Sequence, residues 1–140
     1  MTTGARPRRS QLYRASHGSK DIIAKEVQRQ WDLGVIEPSS AEWAFPVVLV
    51  PKPDGTMRFC VDDRQLNEVT VLDVYPLQRM DDCIDFFEDA KMFSTLDCNS
   101  GYCQIPVADE DRDKTTLVCH EGAYRYIRLP FYLSNAPATF

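Results

Sequence analysis

The chain has 140 residues, of which 44% are hydrophobic, 26% charged and 11% aromatic. That is one domain's worth of length with enough apolar content for a packed core, and it excludes a low-complexity linker, a collagen-like repeat and a disordered acidic tail. The net charge of −5 is uneven: residues 1–30 carry seven Lys/Arg against Asp21 and Glu26, and the remainder carries −10, so bulk charge argues against nonspecific nucleic-acid binding.

In chain order, residues 1–17 are rich in Arg, Ser, Thr and Gly without a period and are expected to form a flexible basic arm. Ser19 is placed to cap a helix whose inward stripe is Ile23, Val27 and Trp31, with Gly34 as its stop. Residues 35–40 read as a connector around Pro38. A strand is predicted over 45–50, then a turn at Pro53-Asp54-Gly55-Thr56, where proline presets one dihedral and glycine accepts a positive one. A returning strand follows over 57–61. A short helix fits 62–68. Met80, Cys83, Ile84 and Phe87 recur at helical spacing and predict a helix over about 76–89. Residues 91–97 alternate and predict a strand, broken by Asn99-Ser100-Gly101. Residues 115–119 and 123–129 flank Glu121-Gly122 as a second hairpin. The order is an α+β mixture rather than a regular βαβ winding. Phe140 follows Asn135-Ala136-Pro137-Ala138-Thr139 with no completed element, so the chain is expected to be cut from a longer one.

No run reaches the ~20 apolar residues of a membrane helix, and no secretory signal is visible. Five irregularly spaced cysteines argue against a disulfide framework or a zinc site. An intracellular location, cytoplasmic or nuclear, without a membrane is therefore expected. Hydrolase and nucleotide-fold motifs are missing: there is no G-x-S-x-G elbow, no phosphate loop and no dinucleotide fingerprint. Most carboxylate pairs, such as Asp62/Asp63 and Asp81/Asp82, fit solvated faces. Asp97 differs, because it ends an apolar alternation before a glycine turn, where a carboxylate is costly unless it is paired or holds a metal. Lys52 and Arg58 flank the first hairpin turn; they either converge on one anionic group or stand as two solvated cations.

Several runs resemble one family in collinear order. They include Pro46-Val47-Val48-Leu49-Val50-Pro51-Lys52, Asp54-Gly55-Thr56-Met57-Arg58-Phe59-Cys60-Val61-Asp62, Arg64-Gln65-Leu66-Asn67, Tyr75-Pro76-Leu77 and Phe93-Ser94-Thr95-Leu96-Asp97. Ser100-Gly101-Tyr102, Gln104-Ile105-Pro106, Leu129-Pro130-Phe131 and Asn135-Ala136-Pro137-Ala138-Thr139-Phe140 continue the series. Over about 20–140 the chain resembles the reverse transcriptases, RNA-directed DNA polymerases, of gypsy-class long-terminal-repeat retrotransposons. The resemblance implies an α+β fold, the fingers and the start of the palm of a right-hand polymerase, incomplete here. A partial domain is expected over 18–140, with fingers about 18–90 and 105–134 and palm about 91–104 and from 135.

The resemblance also implies roles. Asp97 is the catalytic carboxylate and binds the metal, Mg²⁺, with the Cys98 carbonyl helping. Lys52 and Arg58 contact the triphosphate of a deoxynucleotide, and the Ser100-Gly101 turn offers backbone N–H groups to the same phosphates. Tyr102 packs under the sugar, and Phe131 lines the nucleotide pocket. Implied partners are a nucleic-acid template-primer, a dNTP and the remainder of a Pol polyprotein. Three positions depart from the family pattern: Asp63 for Tyr, Cys103 for an aromatic, and Tyr132 for Gly, where a side chain crowds the nucleotide or template. The Tyr-x-Asp-Asp motif is absent from the 140 residues, so a fragment inactive by itself is expected. The alternative is a domesticated or decayed remnant that binds nucleic acid or a protein without catalysis.

Overall fold

A computed structural model describes residues 4–76, 79–87 and 90–140. Helix α1 spans His17–Asp32, and its cap is Ser16, whose Oγ accepts from the Ser19 N–H at 3.2 Å. Ser19 thus lies inside the first turn rather than at the cap. Ile23 and Val27 are buried as the spacing predicts, but Trp31 is exposed, with its ring 6.0 Å from that of Tyr124 between centroids. Gly34, at φ +64°, ends the helix, and Val35 N–H closes back on Gln30 O at 2.9 Å. Glycine occupies this left-handed position without the Cβ clash another residue would meet.

Five strands form one sheet in the order β1-β5-β4-β2-β3. They are β1 Ile36–Pro38, β2 Phe45–Pro51, β3 Met57–Val61, β4 Leu117–Cys119 and β5 Gly122–Tyr126. β2 and β3 make the predicted hairpin, with Val50 opposite Arg58 and Pro51 opposite Met57. β4 and β5 make the second hairpin, shorter than its pattern suggests. β2 and β4 pair in parallel, Phe45 opposite Leu117. The expected connector at 35–40 contains an edge strand instead, antiparallel to β5, with Pro38 at its end where the missing N–H is tolerated.

The core lies between α1 and this sheet: Phe45, Ile36 and Leu117 are almost wholly buried, together with Val61, Tyr126 and Leu129. Leu66 of α2 (Arg64–Asn67) joins them, as do Leu133 and Ala136, the last in α5 (Ala136–Thr139). The 3₁₀ turn Asp113–Thr115 following α4 (Asp109–Arg112) is fastened by Thr115, whose Oγ1 accepts from Tyr126 N–H at 3.1 Å and donates to Arg112 O at 2.7 Å. Arg125 ties β5 to Glu37 of β1 and to Asp113.

Two segments differ from their sequence patterns. Within the expected free arm, Ser10 N–H donates to Ala44 O and Ala44 N–H to Arg8 O, and Tyr13 reaches Asp62 at 3.0 Å. This stretch spends its backbone groups on β2's entry. Residues 91–97 form no strand: all are exposed, Leu96 at 92%, and no described strand pairs with them. Alternation yields a strand only where a partner takes its backbone groups and covers one face. The helix expected over about 76–89 is α3, Met80–Asp85; residues 77–78 and 88–89 lie outside the described residues. Its apolar stripe, Met80, Ile84 and Phe87, is exposed, and Phe87 makes an edge-to-face pair with Phe93 at 5.5 Å.

Candidate nucleotide site

The tip of the β2–β3 hairpin is locked by its own side chains. Lys52 N–H donates to Thr56 O at 2.8 Å and Gly55 N–H to Lys52 O at 3.0 Å. Asp54 Oδ1 accepts from both the Thr56 N–H and hydroxyl, which holds the Asp54 carboxyl below its ordinary range. Gly55 takes φ +79°, the dihedral the turn requires. The ladder stops at Pro51 and Met57, so Lys52 opens the turn while Arg58 sits one residue inside the ladder, opposite Val50.

Both cations line a cavity of about 1010 Å³, together with Phe59 and Val61 of β3, Ser100, Cys103, Phe131 and Tyr132. Its opposite wall is α1, through Lys25, Glu26, Arg29 and Gln30. Arg29 clasps Glu26 with two hydrogen bonds, 2.9 and 2.7 Å, and that guanidinium holds the Glu26 carboxyl down despite its partial burial. Gln30 donates to Glu26 at 2.9 Å, while its own amide oxygen is buried without a partner among the described residues.

Ser100 sits at φ +51°, the left-handed region, a strain of order 1 kcal/mol for a residue with a side chain. Its carbonyl accepts from Cys103 N–H at 2.8 Å and starts the 3₁₀ turn Gly101–Gln104. Tyr102 stands between Phe131 and Phe140, each at 5.3 Å, with the Phe140 ring almost perpendicular to it. The structure therefore brings Lys52, Arg58, Ser100 and Phe131 to one cavity. Tyr102 lies behind Phe131 and Gly101 under Phe140, and neither is part of the lining.

Asp97 and Cys98 are exposed and outside that lining. Among the described residues no three His, Cys, Asp or Glu side chains converge so as to hold a metal ion. A hard divalent cation takes several oxygen ligands, so the residues present do not by themselves fit such an ion.

Three features of the site carried no signal in the pattern of residues. Tyr132 Oη lies 2.8 Å from Cys60 Sγ across 72 positions of sequence. Asn67 donates to Tyr132 O and accepts from Ser134 N–H, each at 2.9 Å, and Asn135 does the same for Val71 O and Asp73 N–H. Asp63 is 4% exposed, with no hydrogen bond to its carboxyl among the described residues. Burial first, and the Asp62 carboxylate second, push it up to about 7. Asp62 itself, gripped by Arg64 at 2.7 Å through two nitrogens, is held down at about 2.

Comparison with known proteins gives one consistent result. Residues 50–140 match the family model described as reverse transcriptase (RNA-dependent DNA polymerase). The retrovirus-related Pol polyprotein from transposon 412 of Drosophila melanogaster is 37% identical over 134 residues, 91% of this chain and 11% of that protein. The corresponding polyprotein from transposon gypsy of the same organism is 35% identical over 144 residues, 99% of this chain and 14% of its own length. A crystal structure of the prototype foamy virus protease-reverse transcriptase superposes with a TM-score of 0.83 at 28% identity, covering 98% of this chain and 18% of that one. The chain thus spans about a tenth to a fifth of the length of these three proteins. No described helix is long and apolar enough to cross a membrane.

Proposed function

The chain belongs to the reverse transcriptase (RNA-dependent DNA polymerase) family, and from that premise we propose that its cavity is the nucleotide-holding part of a gypsy-class retrotransposon polymerase. The observation that carries this reading is the convergence of Lys52 and Arg58 of one hairpin with Ser100 and Phe131, from segments far apart in sequence, on one cavity. Lys52 gives a point charge and Arg58 a planar fork of donors, a pairing suited to the oxygens of a triphosphate. The Ser100-Gly101 turn faces the same phosphates, Tyr102 supports the sugar from behind Phe131, and Phe131 lines the pocket. The reaction of the whole polymerase is attack of a primer 3′-hydroxyl on the α-phosphorus of a deoxynucleoside triphosphate. A phosphodiester forms, the α–β anhydride breaks and pyrophosphate leaves, on an RNA or DNA template.

Reverse transcriptases use divalent metal ions, and Mg²⁺ is the ion we assign to the parent reaction, with the Asp97 carboxylate and Cys98 carbonyl as its ligands from this chain. One exposed carboxylate does not hold two such ions, so the 140-residue polypeptide by itself extends no primer. Template-primer and the rest of a Pol polyprotein are the partners of the same reading.

The test is a calorimetric titration of the 140-residue polypeptide with dTTP at low salt. Binding that weakens about tenfold or more in Lys52→Ala and Arg58→Ala supports the reading. Affinity unchanged in both variants, or no binding, contradicts it.

A further inference from the structure

Tyr132 is held at both ends. Its phenol oxygen meets Cys60 Sγ at 2.8 Å, and its carbonyl accepts from Asn67 Nδ2 at 2.9 Å. The same Asn67 side chain accepts from Ser134 N–H two residues on, so the loop cannot swivel without losing both bonds. Partial burial and the Cys60 contact push the phenol up to about 12, with Arg58 near enough to oppose the rise. The residue is neutral and fixed at ordinary pH.

The ring is also without an aromatic partner among the described residues. Phe131 and Phe140 each spend a face or edge on Tyr102, whereas no aromatic ring among the described residues pairs with Tyr132. It nonetheless lines the cavity with both hairpin cations and is 38% exposed. A fixed aromatic face beside two cations is the composition with which proteins hold a base by stacking and its phosphates by charge. The cavity, at about 1010 Å³, has the size of a pocket for a ligand of nucleotide dimensions.

We propose that Tyr132, pinned by Cys60 and Asn67, is a specificity-determining residue of this cavity: the wall on which a nucleobase stacks while Lys52 and Arg58 take the triphosphate. The proposal rests on the nucleotide reading above. It assigns base affinity to the aromatic face, so a purine binds more tightly than a pyrimidine, and a triphosphate without a base binds least.

The experiment compares sodium tripolyphosphate, dCTP and dATP by calorimetry on the 140-residue polypeptide, at low salt with EDTA present. The parent, Tyr132→Leu and Tyr132→Phe are titrated, each checked for folding by circular dichroism. Tyr132→Leu keeps apolar bulk without the π face, and Tyr132→Phe keeps the face without the hydroxyl. The parent is expected to prefer dATP over tripolyphosphate by about fivefold or more, the lower end of a base–aromatic stack, with dCTP between. The preference falls to about one in Leu and persists in Phe. Equal affinity for dATP and tripolyphosphate in the parent overturns the stacking role and leaves the triphosphate site standing. A preference retained in Leu, or lost equally in Phe and Leu, also overturns it. Absence of any binding, tripolyphosphate included, overturns both this role and the nucleotide reading.

Discussion

The ring of Phe140 occupies the space a Cβ on Gly101 would need: that atom would lie 2.8 Å from Phe140 Cζ and 2.9 Å from Cε2. Gly101 has no positive φ, so its missing side chain is explained by this contact rather than by the backbone. The same ring meets Tyr102 edge-on, which makes the glycine the seat of the aromatic group behind the cavity.

Gly101→Ala forces that ring to move. Phe140 is 60% exposed, so it yields at its free end, and the cost is expected to stay under about 1 kcal/mol, below the range for overpacking a closed core. Chemical denaturation gives the cost, and the NMR shifts of the Tyr102 ring report loss of its edge contact. A loss of several kcal/mol, or unchanged Tyr102 shifts, would show that Phe140 is not seated there.

Asp63 makes stability fall as pH rises. Its folded pKa, about 7, lies above its ordinary value of 3.8, so the unfolded chain ionises first. Folding carries no penalty from this residue below about pH 4. It then loses about 1.4 kcal/mol per pH unit up to about pH 7, on the order of 4 kcal/mol in all. Asp63→Asn is expected to remove that slope and to melt above the parent at pH 7.5, the two converging near pH 4. Parallel melting curves for parent and variant across this range would refute the burial argument.

Asn67→Ala leaves Tyr132 O and Ser134 N–H without their partner. Both bonds are exposed, so water takes the place of the lost side chain and the cost is about 0.5–1.5 kcal/mol. The denaturation midpoint is expected to fall accordingly. Hydrogen exchange should quicken at Ser134 more than at Leu117 in the sheet; uniform quickening would mean that Asn67 stabilises the whole fold rather than this loop.

The alternation of residues 91–97 is unspent. Met92→Ser and Leu96→Ser, both at positions above 90% exposed, should change stability by less than about 0.5 kcal/mol. Phe45→Ala, at a fully buried position, should cost about 3–5 kcal/mol. The two serine variants should also reduce self-association in sedimentation, since exposed apolar residues in this stretch favour it. Amides of 93–97 as the slowest to exchange in a monomer would contradict the exposed, unpaired conformation.

Local chemistry was legible in the sequence, and long-range pairing was not. Ile23 and Val27 at a spacing of four placed the inward face of α1, and Pro53-Asp54-Gly55-Thr56 placed the hairpin tip with Lys52 and Arg58 on either side. Trp31 misled because, in the last turn of α1, it stays about half exposed and sets its ring against Tyr124 of β5 instead of entering the core. β1 went unseen because three residues ending in proline make no pattern, and it exists through β5, some 88 positions away. The parallel pairing of β2 with β4 and the contact of Tyr132 with Cys60 likewise join segments about 72 residues apart, and no local period encodes them. The resemblance to reverse transcriptases supplied the residues that spacing could not. Four of them meet at one cavity, while Asp97 stands outside it.

The most direct measurement of the central claim is an amide footprint. The ¹⁵N-labelled 140-residue polypeptide is titrated with dTTP and followed by ¹H–¹⁵N correlation spectra. Shifts are expected at Lys52, Arg58, Ser100, Phe131 and Tyr132, which line the cavity, and at Gly101 next to Ser100. Shifts confined to the basic residues Arg6, Arg8, Arg9 and Arg14, with the hairpin unmoved, would contradict it.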